Sequence, residues 1–179
     1  CHSVRDQMIR AVLDYSQRSR TEWMVSWPGQ VVLNGSQVHW TGEVEKALDE
    51  KGNVGLIEYH QKAVEQLSDM VYLIRSGLTR NQRTTVGALA VIDVHARDVI
   101  KNMADDPDVT STSDFDWQSQ MRFYWQGGDL AEAQGDLFVA QVGSKRSYGY
   151  EYLGNSFRLV ITPLTDKCYL TLMGALQMI

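Results

Sequence analysis

The sequence predicts a mainly α-helical fold, in which an antiparallel helical bundle is followed by a short β-hairpin and then by a final strand and helix. Apolar residues recur every three or four positions over long stretches of residues 1–126, which is the spacing of amphipathic helices. Short polar or Gly-containing breaks separate these stretches. From Leu137 onward, β-prone residues replace the helical pattern. The 179 residues, 44% of them hydrophobic, suffice for a core without disulfides.

The predicted helices follow one another along the first two thirds of the chain. Pro28-Gly29, the Lys51–Asn53 break, Gly77, the run Asp105–Asp108 and Gly127-Gly128 separate or end them. The helices are expected over residues 3–17, about 30–49, about 55–76, about 82–103 and 115–126, with a short helical turn over 21–27.

Two of these helices have specific signals. The clearest apolar stripe falls on 55–76 and comprises Leu56, His60, Ala63, Leu67, Met70, Val71 and Ile74. Asp114 can cap the fifth and last of these helices, which is expected to carry Trp117, Met121, Tyr124 and Trp125. Both stripes predict helices that pack against neighbours in a bundle.

The β-prone part of the chain predicts a hairpin and one further strand. Residues 137–142 and 147–153 are expected to form its two strands, with a turn at 143–146. Residues 157–161 are expected to be extended. Thr162 has the chemistry of a helix N-cap, and Pro163 suits the first position of the final helix.

Composition limits the classes of function. The net charge is −5, with 22 acidic and 17 basic residues, which argues against a nucleic acid or an anionic membrane as partner. No uncharged apolar stretch approaches the roughly 20 residues needed to span a bilayer. Cys1 and Cys168 are too few for a disulfide framework, so a reducing compartment is the simplest interpretation. Cys168 is expected to be an inert, buried thiol.

Catalytic motifs are weak in this sequence. Gly143-Ser144-Lys145 lacks the spacing of a phosphate-binding loop and is interpreted as a basic turn. Asp93 and His95 are two positions apart on a helix and do not face each other, whereas Asp93 and Arg97 are spaced to pair. The residues alone therefore favour a non-catalytic segment. A helical interaction scaffold and, with less support, a small enzyme remain open as alternatives.

Several long strings, in a fixed order, carry a specific resemblance. The strings are Trp27–Gln30, Gly87–Asp98, Phe115–Trp125, Tyr148–Asn155 and Arg158–Tyr169. With these strings, the chain closely resembles the dynein heavy chains over nearly all of its length, and the form of residues 153–163 resembles the axonemal type.

The resemblance implies a division of the chain and a role for each part. Residues 1–146 would be the C-terminal part of the linker, the helical element that transmits the power stroke of a minus-end-directed microtubule motor. Residues 147–179 would begin the first AAA+ ATPase module, with its first strand and helix, and its phosphate loop would follow shortly after Ile179. Implied partners are the rest of the heavy chain with its AAA+ ring, intermediate and light chains, and microtubules, in the axoneme of a cilium or flagellum.

The resemblance also implies ATP as cofactor, with Mg²⁺ bound by residues outside this chain, and an adenine-binding segment. That segment comprises Leu159, Val160, Ile161, Thr162 and Pro163. No catalytic residue or metal ligand is expected within the chain itself. The residues alone would favour ordinary strand-to-helix packing for this segment. Val160 and Ile161 point to opposite sides of an extended chain, so at most one of them can face the base.

Overall fold

The computed structural model describes residues 2–129, 132, 134–154 and 162–178. Within these residues the chain is mostly helical, with one small antiparallel sheet. The helices are α1 (His2–Asp14), α2 (Arg20–Ser26), α3 (Gly29–Lys51), α4 (Asn53–Arg75), α5 (Arg80–Asp105), α6 (Phe115–Gln118) and α7 (Pro163–Gln177). The strands are β1 (Arg122–Gln126), β2 (Asp136–Gln141) and β3 (Ser144–Ser147), in that order across the sheet. A 3₁₀ turn, Tyr15–Gln17, follows α1.

The first five helices confirm the sequence prediction, and local capping explains their ends. Ser19 caps α2, and Thr79 caps α5, each through a reciprocal capping box with the residue three positions on. Gly52, at a φ of 56°, ends α3 and allows α4 to begin one residue later. Because this connection is a single residue, α3 and α4 must form a tight helical hairpin.

Helix α4 packs antiparallel to both α3 and α5. Tyr59, near the start of α4, donates a hydrogen bond to Glu43 near the end of α3. Asn53, at the start of α4, donates to the carbonyl of Ala104 at the end of α5. At Gly55 the approach of α3 is so close that a Cβ would lie 2.1 Å from the carbonyl oxygen of Ala47. The hairpin therefore requires glycine at this position.

The core consists of two apolar clusters. The first surrounds the fully buried Trp23, contains residues from each of the helices α1 through α5, and includes Leu137 of β2 and Tyr150. The second lies at the other end of the α3–α5 layer and surrounds Trp117. Leu56 and Met70 are buried as the apolar stripe predicts, but Leu67 is only half-buried and Val71 is 47% exposed. The stripe is therefore narrower than the sequence predicts.

The predicted helix over 115–126 is wrong beyond its first turn. Only Phe115–Gln118 is helical, and Arg122–Gln126 is strand β1, paired antiparallel with β2 from Arg122↔Ala140 to Gln126↔Asp136. Trp117 is buried as expected. The aromatic run Phe123–Trp125 fits a pleated surface, and the distant β2 supplies the hydrogen bonds that a local pattern does not reveal.

The predicted hairpin exists with different bounds. Its turn is Val142-Gly143, and its second strand is Ser144–Ser147, which includes residues expected in the turn. Val142 adopts a φ of 53°, and its N–H donates to the carbonyl of Gln118 at 2.7 Å. The prediction of a strand over 147–153 is wrong after Ser147, because the hydrogen bonds of 148–153 are made with α3 and β2 instead.

The structure confirms the prediction for Thr162 and corrects those for Cys168 and Asp93. Thr162 caps α7, with Pro163 in its first turn, as predicted. Cys168 is exposed rather than buried, because α7 contacts the rest of the described chain mainly through β3. Asp93 pairs with Arg20 across the bundle rather than with Arg97. Among the described residues, no helix is both long and apolar enough to cross a membrane.

Candidate functional site

The sequence-predicted adenine segment ends at the N-terminus of α7. Leu159, Val160 and Ile161 lie outside the described residues. Thr162 and Pro163 are described: Thr162 is the N-cap of α7, and Pro163 is its first residue. The Thr162 hydroxyl accepts a hydrogen bond from the Thr165 N–H at 3.3 Å, and the Thr165 hydroxyl accepts one from the Thr162 N–H at 2.7 Å. This capping box satisfies two backbone N–H groups at the start of α7.

A groove of about 830 Å³ lies beside this N-terminus, between α5 and α7. Its walls include four carboxylates, from Asp98, Asp106, Asp116 and Asp166. The described residues hold no group of three or more His, Cys, Asp or Glu side chains able to bind a metal ion. An acidic groove repels phosphates, so the described walls do not suit a triphosphate.

A second cavity of about 230 Å³ adjoins the groove. Leu33, Ile92, Phe123 and Tyr169 give it apolar walls from α3, α5, β1 and α7. His95 lines both spaces, and its Nε2 lies 3.7 Å from a carboxylate oxygen of Asp166. Asp166 and Tyr169 of α7 thus line these two spaces on the side opposite α5.

A second polar contact fixes the segment that precedes α7, residues 148–153, which we name the junction segment. The side-chain amide of Gln30, on the first turn of α3, binds it at three points. Its Nε2 donates to the Tyr148 hydroxyl and to the Glu151 carbonyl, both at 2.7 Å. Its Oε1 accepts from the Leu153 N–H at 2.9 Å. Gln30 is only 4% exposed, and these contacts satisfy both of its donors and its acceptor.

Tyr150 forms the bend of the junction segment. It has a φ of 52°, which is uncommon for a residue other than glycine. Its ring is buried, and its hydroxyl donates to Asp136 and accepts from the Leu137 N–H. Burial raises the pKa of the Tyr150 hydroxyl, and the hydrogen bond to Asp136 adds to the effect. The bend is therefore held by contacts with β2.

A buried ion pair links three helices of the bundle. Arg20 Nη2 lies 2.8 Å from Asp93 Oδ2 and also donates to Ser36 at 3.0 Å, which ties α2 to α5 and α3. Both charged side chains are only 13% exposed. Burial raises the pKa of the Asp93 carboxyl, and Arg20 opposes that effect.

Sequence reasoning missed the role of Gln30 and the Arg20–Asp93 pair. Both depend on partners more than 70 positions away, so no local spacing indicates them. One signal was present: Gln30 and the junction segment belong to two of the strings that carry the family resemblance. The structure brings these two strings into contact.

Comparison with known proteins gives a consistent result. Residues 148–179 match the family described as the hydrolytic ATP binding site of the dynein motor region. The chain is 49% identical over 176 residues to dynein axonemal heavy chain 1 of Mus musculus. It is 48% identical to the Homo sapiens protein of that name and 44% identical to dynein axonemal heavy chain 3 of Homo sapiens. Each match covers 98% of this chain and 4% of the relative, so the chain spans a small part of the relatives' length.

Proposed function

The chain belongs to the axonemal dynein heavy chain family, and from this premise we propose that it joins a force-transmitting helical element to the adenine side of an ATP site. In this proposal, residues 1–146 are the C-terminal part of the linker and residues 147–179 begin the first AAA+ module. The single observation that carries the proposal is the match of residues 148–179 to the hydrolytic ATP-binding family of dynein motors. ATP is accordingly the proposed nucleotide.

The packing of the bundle supports a mechanical role. A lever must resist bending, and antiparallel helices joined by short connections resist bending because each helix supports its neighbours. Here α3 and α4 are joined by the single residue Gly52, and two apolar clusters fill the layer at either end. Such a body can transmit a displacement over its length.

The surface of α7 supports its assignment to a larger module. Leu164 is 71% exposed, Leu172 60% and Leu176 48%, although all three are apolar. A helix with this much uncovered apolar surface is typical of one that packs against further structure. We propose that the rest of the AAA+ module covers this surface and supplies the ligands for phosphate and Mg²⁺.

The proposed adenine contact rests on the chemistry of the segment before α7. Adenine is flat and weakly polar, so it requires apolar walls and a fixed main chain. Leu159, Val160 and Ile161 offer the apolar side chains, and Pro163, with its locked φ, joins the capped start of α7. The acidic groove beside Thr162 disfavours the phosphates there, which is compatible with the base lying on this side.

The test is nucleotide binding by a motor domain that carries changes in this segment. Val160→Asp or Ile161→Asp should raise KM for ATP by more than it lowers kcat, because a contact made equally in the ground and transition states is lost. Val71→Asp, at an exposed position of α4, is the matched control for an added charge. Wild-type ATP affinity in both folded variants would contradict the proposed contact.

The partners and location are proposals of the same kind. We propose that the parent chain works in an axoneme, with its own AAA+ ring, intermediate and light chains, and microtubules as partners. The competing function is a helical scaffold without a nucleotide link. Nucleotide-independent contacts between this chain and the ring would favour the scaffold.

A further inference from the structure

We propose that Gln30 is a positioning residue that joins the helical bundle to the ATP-binding module, so that a movement of one is transmitted to the other. This inference rests on the proposed function, since it assigns to one side chain the transmission between the two parts. The carrying observation is the contact of the Gln30 amide with Tyr148, Glu151 and Leu153.

The geometry of the contact favours a joint over ordinary packing. The three partners lie at both ends and in the middle of the junction segment, so one side chain fixes its whole length. Each hydrogen bond spans 118 residues or more, and Gln30 is almost fully buried. A displacement of the junction segment therefore requires either the loss of all three bonds or a matching movement of α3.

The bend at Tyr150 makes the segment itself stiff. Its left-handed backbone conformation is held by the buried ring and by the hydroxyl contacts with Asp136 and Leu137. The N–H of Tyr148 also donates to the Leu137 carbonyl at 2.8 Å. β2 therefore holds one side of the segment and Gln30 the other, so a displacement of the segment acts on both the sheet and the helices.

The chemistry at this position is selective for glutamine. The contact needs two N–H donors and one acceptor at the end of a side chain of this length. Glutamate keeps the acceptor for Leu153 but places a carboxylate against the Glu151 carbonyl. Alanine removes all three bonds, and asparagine is one methylene too short.

The experiment uses a dynein motor domain that contains this chain, with Gln30→Ala and Gln30→Glu as test variants. Tyr148→Phe, which removes only the accepting hydroxyl, is a milder variant that retains the fold if the others fail to fold. Gln61→Ala and Gln61→Glu make the same changes on the exposed surface of α4 and serve as controls.

Two readouts are measured on each variant. The hydrogen-exchange rate of the Leu153 amide should rise about 10-fold or more in Gln30→Ala, because this N–H loses its hydrogen bond to the Gln30 side chain. Microtubule gliding speed at a fixed rate of ATP turnover should fall below the wild-type value, because part of each displacement is no longer transmitted to the bundle. Both Gln61 variants should resemble wild type.

The two readouts together support or contradict the role of Gln30. Faster exchange together with a loss of speed per ATP supports the proposal. Unchanged exchange would show that Gln30 does not hold the segment, and faster exchange with unchanged speed per ATP would show that the contact does not transmit force. Equal loss of speed and turnover would place Gln30 in support of the ATP site instead. ATP affinity in the Val160 and Ile161 variants tests the proposed function separately, so the two can fail independently.

Discussion

The buried pair of Arg20 and Asp93 gives a prediction whose magnitude follows from the structure. Asp93→Ala removes the carboxylate that lies 2.8 Å from the guanidinium and leaves a positive charge only 13% exposed. Breaking a buried ion pair by removing one partner costs about 3–5 kcal/mol. For a chain of this size, 1 kcal/mol corresponds to roughly 2–4 °C in Tm, so the midpoint should fall by roughly 6–20 °C.

The assay is thermal and urea unfolding of the 179-residue chain, with a matched surface variant. Asp105→Ala breaks the Lys101–Asp105 pair on the same helix, where both side chains are more than half exposed. Such a pair contributes about 0–1 kcal/mol, so this control should melt close to wild type. The double variant Arg20→Met/Asp93→Leu removes both charges together and should recover most of the lost stability.

Two results would refute this reasoning. If Asp93→Ala melts within the range of the Asp105→Ala control, the pair is not buried in the folded chain. If the double variant is as unstable as Asp93→Ala, the loss comes from packing rather than from an unpaired charge.

Two further predictions concern the bundle. Gly55→Ala should destabilise the chain by about 1–3 kcal/mol despite alanine's better helix propensity, because its Cβ would meet the Ala47 carbonyl oxygen at 2.1 Å. The control Gly42→Ala, with open space around its Cβ, should be neutral or stabilising by up to about 1 kcal/mol. Equal effects of the two substitutions in urea unfolding would contradict the close packing at Gly55. Burial lowers the pKa of His39 below its ordinary value of 6.5, so below about pH 6.5 the unfolded chain binds more protons and stability should fall as the pH is lowered through that range. His39→Gln should reduce this pH dependence, and an unchanged slope between about pH 7 and 5 would show that His39 is not its source.

Much of the helical fold is predictable from the sequence because its signals are local. The capping residues Ser19 and Thr79 and the break at Gly52 each act within a few positions, and five helices follow the predicted order. Strand β1 was not predictable in this way, because its hydrogen bonds come from β2, whose paired residues lie 10 to 18 positions later. Aromatic residues at positions 123–125 satisfy both a helical and an extended pattern, and only pairing decides between them.

The candidate site was less accessible to sequence reasoning than the fold. Spacing within the chain gave no sign that Gln30 would contact the junction segment, because the contact depends on the tertiary approach of α3. Cys168 was expected to be buried from the apolar character of α7, but burial depends on what surrounds a helix as well as on its own residues. The apolar residues Leu164, Leu172 and Leu176 of α7 are likewise exposed, because the described chain does not cover that face of the helix.

The central claim is that residues 159–163 face the adenine of bound ATP. The chain offers a direct test, because Arg158 and Lys167 are the tryptic sites on either side of this segment and release it as one peptide, residues 159–167. A motor domain containing the chain is photolabelled with 8-azido-ATP, with and without excess ATP, and its tryptic peptides are analysed by mass spectrometry. We predict an ATP-protected label on peptide 159–167. Protected labelling of the motor domain that leaves this peptide unmodified would contradict the claim.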